Sequence, residues 1–505
     1  MKEMRLNSDI YGMKREYMTE KLRAYVERFN REDEETVVQK IPNVKACKWL
    51  EENIPRVELP DAVLEEIYYF RWWTYRKHIK ETEKGYIITE FLPAVKWSGP
   101  YNSINCATGF HIREGRWLYH ADRYMEDYIR FWLNNHGNIR SYSCWLAYAV
   151  WEYCRVRGDY TIALDNLDKI CANYEMWEQE KKRPQGLFWS HDDRDAMEFS
   201  ISGPGFRPTL NSYMYGDACA ISVFANMDGK KELAEKYRHK AEEIKEKLQK
   251  YLWDKDFFKV IPEEDIGKMS EEGFPEVEKE RNVREEIGYI PWYFNLPDAG
   301  YEKAFCQLLD EDGFKGRRGI RTAEKRHERY CYPADHECLW NGPVWPYATT
   351  QTLVALANLL QNYRQSYLHK GDYYRLLKEY AESHHLKREN GKVVPWIDEN
   401  LDSETGEWIA RRILKGNGWK KETGGYERGK DYNHSMYCDL ILSGLLGIGD
   451  DGRGMLKVNP LIPESWEYFR VENLMFGGKC YEVFYDRTGE KYGRGSGIHI
   501  ECQSA

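Results

Sequence analysis

The chain has 505 residues, enough to bury a large core without disulfide or metal staples. Its 74 Lys and Arg against 83 Asp and Glu leave a formal net charge of −9, which disfavours general nucleic-acid binding, because that needs clustered cations to displace counterions. Hydrophobic residues at 42% and charged residues at 31% fit a folded chain rather than a disordered one, while 18 Trp, 38 Tyr and 18 Phe supply flat apolar faces that stack on sugar rings or bases, or fill a core.

The N-terminal MKEMRLNSDIYGMKREYMTE is charged throughout and lacks the apolar stretch of a secretory signal. No apolar run approaches the ~18 residues of a membrane span. The twelve cysteines are scattered singly, and Cys331 and Cys338 have no matching second pair. They read as reduced thiols rather than a zinc site. A cytoplasmic protein is expected, with no membrane partner. Residues 1–58 are weakly periodic and read as an N-terminal arm or edge element.

From 59 to 452 the dominant apolar period is helical. Ala163, Leu167, Ile170, Tyr174 and Trp177 form one stripe, and Leu233, Tyr237, Ala241, Ile244, Leu248 and Tyr251 form another. Similar stripes run near 62–80, 114–136, 141–157, 344–363, 371–386 and 432–448. Pro346 suits the first turn of its helix. Short turns such as Gly229-Lys230 alternate with long segments at 183–210, 253–298, 312–343 and 387–431, rich in Gly, Pro, Trp and charge. Long loops in a compact domain usually carry function. The alternation predicts helical hairpins arranged in a ring, with the long loops gathered over one rim. Beyond about 453 the alternation becomes β-type with Gly breaks, which predicts a small antiparallel module over 453–505.

Four segments carry residues able to do chemistry. CATGFHIREGRWL (106–118) offers His111 and Arg113, as hydroxyl contacts or as an ion-pair network. The loop around Trp189 places His191, Asp192, Asp193, Asp195 and Glu198 within eight positions; this is a working acidic loop or a solvated charge cluster, and a metal site only weakly, since no second ligand cluster supports it. HECLWNGPVWPYATTQ (336–351) builds an aromatic wall from Trp340, Gly342 and Trp345. VVPWIDENLDSETGEW (393–408) sets Trp396 beside Asp398 and Glu399. Paired carboxylates from distant loops are what glycosidic cleavage needs, one as acid and one as base or nucleophile, and aromatic walls raise the acid's pKa by desolvation. The chain has no G-x-S-x-G elbow, Walker loop or dinucleotide fingerprint, and no cofactor is expected.

In this order, the acidic loop, the Leu210-Asn211 helix, NGPVWP and ENLDSETG resemble the inverting (α/α)6-barrel glycosidases, notably glycoside hydrolase family 63 and the mannosylglycerate-hydrolase-like domain. The resemblance implies a mainly α fold, an (α/α)6 barrel over 59–452, followed by a small C-terminal antiparallel β domain. It implies cleavage of an α-glycosidic bond with inversion. Glu399 matches the family's base and Asp195 best matches its acid. Met197-Glu198 replaces the family's Ser-Pro there, which leaves Asp193 and Glu198 as rivals to Asp195. Trp189, Trp340, Gly342, Trp345, Trp396, His111 and Arg113 are expected around the sugar. A polysaccharide lyase or epimerase on a similar toroid, or a non-catalytic carbohydrate-binding protein, are the alternatives. The sugar and the oligomeric state are not legible.

Overall fold

The computed structural model describes residues 2–334 and 336–503. Its helices alternate between two concentric layers. The outer set is Ala62–Tyr75, Asp127–Leu133, Leu167–Lys181, Lys231–Tyr251, Glu302–Leu309 and Lys370–Ser383. The inner set is Thr108–Gly115, Leu146–Arg157, Pro208–Met227, Ile290–Tyr293 with the preceding turn Glu286–Tyr289, Pro346–Asn362, and the π-helical Leu440–Leu445. Outer and inner helices alternate along the chain, so each consecutive pair is one hairpin, and six hairpins make an (α/α)6 barrel.

The sequence assigns the layers. Lys231–Tyr251 buries only the stripe Ala234, Tyr237, Ala241, Ile244, Leu248 and Tyr251, as an amphipathic outer helix should. Pro346–Asn362 is apolar around most of its circumference and buries nearly every residue from Pro346 to Leu359, and Pro208–Met227 does nearly the same. Both inner helices start on a proline, whose missing N–H would be unpaired at that position anyway. The fourth inner helix lies inside 253–298, which reads as a loop. It has only two turns and is interrupted by Pro291, too short for a helical period to register.

Buried charge closes the ring. Asp439, at the start of the last inner helix, accepts from Arg113 Nε at 2.8 Å and Arg116 Nη2 at 2.7 Å on the first. Trp117 Nε1 and Ser443 Oγ add bonds at 2.7 Å each. Glu114 accepts from the backbone N–H groups of Tyr437, Cys438 and Asp439, which satisfies donors that a helix start leaves open.

The four-stranded antiparallel sheet runs in the order Arg56–Glu58, Tyr468–Phe476, Lys479–Asp486, Gly497–Cys502. Gly477 and Gly478, both with positive φ, turn its central hairpin. The first 58 residues contribute two helices, Lys2–Glu32 and Asn43–Asn53, and then the strand at one edge of this sheet. No helix among the described residues is long and apolar enough to cross a membrane.

The connections within hairpins are long (76–107, 134–145, 182–207, 252–285, 310–345 and 384–439), while those between hairpins are short, as at 116–121, 228–230 and 363–369. Alternating helix direction therefore puts all the long connections at one end of the barrel. Burial raises the Asp439 pKa, but Arg116, Arg113 and the bonds from Trp117 and Ser443 outweigh it and hold the carboxyl well below the usual range. Its contribution to stability is present above about pH 4 and fades as pH falls further. Asp439→Asn leaves two buried guanidiniums short of a counterion, a loss of about 3–5 kcal/mol. A lowered urea midpoint with an unchanged helical circular-dichroism spectrum is the expected result; an unchanged midpoint would mean that closure rests elsewhere.

Candidate active site

Five of the six long connections meet around a cavity of about 260 Å³ at that end of the barrel. At ~30 Å³ per water it holds roughly eight or nine waters, room for one small ring. Glu90 and Trp97 come from the first connection, Tyr142 from the second, Glu198 from the third, Glu337, Trp340 and Trp345 from the fifth, and Glu399, Arg428 and Tyr432 from the sixth.

Two motifs that lie far apart in sequence are hydrogen-bonded to each other here. Val344 and Leu401 exchange backbone bonds at 2.9 and 3.0 Å, which locks NGPVWP onto ENLDSETG. Within the latter, Asp402 Oδ1 accepts from the N–H groups of Glu404 and Thr405 and closes the turn. Asp398 is tied to Arg411 at 2.5 Å and to Trp396 Nε1 at 3.1 Å. Glu399 is thus left pointing at the cavity on a rigid loop. Arg428 Nε donates to its Oε1 at 2.9 Å, and Cys338 Sγ donates to its Oε2 at 3.1 Å. Burial pushes the Glu399 pKa up; Arg428 opposes the rise without cancelling it.

Trp340 and Trp345 stack with centroids 4.7 Å apart and an interplanar angle of 13°. Gly342 between them sits at φ 150°, where a Cβ would lie 2.6 Å from Cys331 Sγ and from the Tyr330 ring. Only glycine fits there.

Glu198 faces the cavity from the acidic loop. Burial pushes its pKa up to about 8, and the carboxylates of Asp193, Glu399 and Glu90 add to the rise. Its own carbonyl accepts from Trp340 N at 3.1 Å, which fixes the loop to the aromatic wall. Ala196 and Phe199 on either side hold φ near 60°, a left-handed geometry that non-glycine residues adopt only when their surroundings impose it.

Asp195 helps impose it. Its carboxylate is 1% exposed and does not line the cavity. Oδ2 accepts from Arg207 Nε at 2.6 Å and Oδ1 from Ser143 Oγ at 2.6 Å. With both oxygens occupied as acceptors, Asp195 does not suit the expected role of proton donor; its rival Glu198 is the residue that shares a cavity with Glu399. Asp193 is exposed and lies 3.8 Å from His191. His191, Asp192 and Asp193 bring possible ligand atoms within 4.8 Å of one another, outside the cavity.

Other expected contacts are also displaced. Arg113 is committed to Asp439 and to Glu152 at 2.9 Å. His111 bonds Tyr128 and the Asn433 carbonyl, and burial lowers its pKa to about 4. Both belong to ring closure, the ion-pair alternative rather than hydroxyl binding. Trp189 lies under Lys181 and Arg183, and Trp396 under Arg411; neither they nor Gly342 line the cavity. Of the expected set, Glu198, Trp340, Trp345 and Glu399 converge.

Sequence reading missed Glu90, Arg428 and His434. Glu90 accepts from Tyr432 and from Cys106 Sγ, and burial brings its pKa to about 7. Its only signal is a lone acid inside the apolar run YIITEFLP, a placement that is costly unless the charge is matched or used.

A family model for the mannosylglycerate hydrolase MGH1-like glycoside hydrolase domain matches residues 100–435. A second, for the glycosyl hydrolase family 65 C-terminal domain, matches residues 450–504. A solved structure named "Sialidase" is 38% identical with a TM-score of 0.86, over 96% of this chain and 43% of its own; this chain therefore spans less than half of that protein. The Streptomyces avermitilis α-L-rhamnosidase complexed with L-rhamnose is 12% identical, TM-score 0.52, over 86% of this chain and 36% of its own. The Aspergillus terreus α-L-rhamnosidase is 10% identical, TM-score 0.51, over 89% and 50%. The rhamnosidases share the fold.

The placement of Asp195 predicts a split between two variants. Asp195→Asn leaves Arg207 buried with a weakened partner and should cost about 3–5 kcal/mol of stability, whereas Glu198→Gln removes a raised-pKa carboxyl that holds no cation among the described residues and should leave the thermal midpoint nearly unchanged. Equal midpoints for the two variants would contradict this assignment.

Proposed function

Because the chain belongs to the mannosylglycerate hydrolase MGH1-like glycoside hydrolase family, we propose that it hydrolyses an α-glycosidic bond with inversion, with Glu198 as general acid and Glu399 as general base. The observation that carries this reading is the convergence of two carboxyl groups from separate loops on one Trp-lined cavity, Glu399 bonded to the Arg428 guanidinium and Glu198 facing other carboxylates. Glu198, with a pKa of about 8, holds its proton at neutral pH and can pass it to the leaving oxygen as the glycosidic C–O bond breaks. Glu399, kept beside Arg428, takes a proton from a water that adds to the anomeric carbon. Two protons and one water are exchanged, and both carboxyls reset through solvent. Such a path needs the carboxyls ~6.5–9.5 Å apart, so that the water fits between base and sugar.

A lyase or epimerase would need a free base and a cation to neutralise a sugar carboxylate, roles His111 and Arg113 could fill only if they faced the cavity. His111 and Arg113 are consumed in the barrel's closure and do not line the cavity. A sugar-binding protein without turnover has no need of a carboxyl held protonated opposite a second one held by arginine.

Removing a positioned acid or base should slow turnover by about 10²–10⁴-fold. Glu399→Gln should do so for every substrate. Glu198→Gln should do so for poor leaving groups but spare a glycosyl fluoride, which needs no protonation. Proton NMR of the first-formed anomer should show inversion; retention would replace the water-activating role of Glu399 with a nucleophilic one.

The pH profile is a separate test. The alkaline limb of kcat/KM should fall near pH 8 as Glu198 loses its proton. Arg428→Met removes the cation that restrains the Glu399 pKa, so the acid limb should move to higher pH. An acid limb that does not move would exclude Arg428 as the group that keeps the base ionised.

A further inference from the structure

Two buried polar groups in this cavity take no part in the chemistry above. His434 is 1% exposed and lines the cavity, and neither ring nitrogen makes a well-aligned hydrogen bond among the described residues, although the backbone carbonyls of Tyr432 and Glu399 stand close enough to favour its protonated form. Its ring is nonetheless fixed, stacked on Tyr432 at 3.7 Å and standing edge-on to Trp345 at 5.8 Å. Burial, with Arg71 and His111 nearby, pulls its pKa well below the histidine range. The neutral ring offers one N–H and one bare nitrogen, a donor and an acceptor. Trp340 Nε1, on a residue 3% exposed that lines the same cavity, also lacks a partner; it can only donate. Buried polar groups are matched in nearly all folded proteins, and the hydroxyls of a bound sugar are the groups that would match these.

The charge of the cavity narrows the sugar further. Glu90, Glu198, Glu337 and Glu399 line it, and Arg428 is the guanidinium among them. Arg428 is engaged through all three nitrogens, Nη1 with Glu337 and Nε and Nη2 with Glu399, and its face lies over Trp97 at 4.6 Å. No lysine lines the cavity among the described residues. Among the described residues a ligand carboxylate would meet four glutamates, His336 and an arginine already paired with two of those glutamates, whereas recognition of a carboxylate ordinarily uses an arginine fork.

We propose that the sugar seated between Glu198 and Glu399 is uncharged, that His434 and Trp340 Nε1 read its hydroxyls, and that acidic sugars, sialates and uronates alike, are rejected. The proposal rests on the cavity being the sugar site. It separates this chain from the activity named for the sialidase structure it matches.

The test is binding to the whole protein at pH 7, followed by tryptophan fluorescence. A panel of glucose, galactose, mannose, rhamnose and xylose is titrated beside N-acetylneuraminate and glucuronate. At least one neutral sugar should bind tenfold or more tightly than either acid. His434→Ala should weaken that sugar tenfold or more, with His434→Gln, which keeps a donor and an acceptor, recovering part of the loss; melting curves confirm that both variants fold. The proposal is overturned if an acidic sugar binds as well as the best neutral one, if no neutral sugar binds, or if His434→Ala changes nothing. Binding of neutral sugars without turnover of any aryl glycoside would sink the hydrolase reading and leave this one standing. Turnover of a sialoside or uronide alone would do the reverse.

Discussion

The barrel depends on one buried carboxylate. Asp439 joins the last inner helix to the first, and the ring has no backbone ladder to close it as a β-barrel would. Helices satisfy their own hydrogen bonds, so a ring of them is held only by side chains. Most of those contacts are apolar and non-directional. The Asp439 pairs with Arg113 and Arg116 are directional, and at 0% exposure for the aspartate they are costly to break. Glu114 adds the register by taking three successive N–H groups of the incoming turn. First and last hairpins can therefore meet in one alignment.

That alignment matters because the cavity is assembled across the same seam. Glu90 is carried ahead of the first inner helix, and Glu399, Arg428 and Tyr432 ahead of the last. Tyr432 reaches Glu90 directly. A shift of the ring would part them. The loops then fix one another: Val344 to Leu401, Trp340 to the Glu198 carbonyl, Ser143 to Asp195. Each catalytic candidate is held by groups from at least two loops, which is the rigidity that positioned acid–base chemistry requires.

The acidic loop divides its carboxylates by environment. Asp195 meets a buried guanidinium and a hydroxyl and serves as a structural acceptor. Glu198, three residues on, faces other carboxylates across an aromatic wall and retains its proton at neutral pH. Both residues sit in the same segment with similar chemistry. Arg207, which enters from the start of the next helix, sets the two environments apart by bonding Asp195 alone of the pair.

The helical stripes, the short and long connections and the change to β alternation near 453 were all legible in the chain, because period and turn chemistry are local properties. The ENLDSETG and NGPVWP motifs were legible for the same reason, since their turns are closed by their own residues. Glu90, Arg428 and His434 carry no local signature, and the roles of Asp195 and Glu198 could not be told apart. A carboxylate's task is set by what desolvates it and what charge stands opposite, and those neighbours arrive from loops up to hundreds of residues away. The fold and the kind of chemistry were determined by sequence; the division of labour within the site was decided by tertiary structure, because only packing brings the distant charges within range of one another.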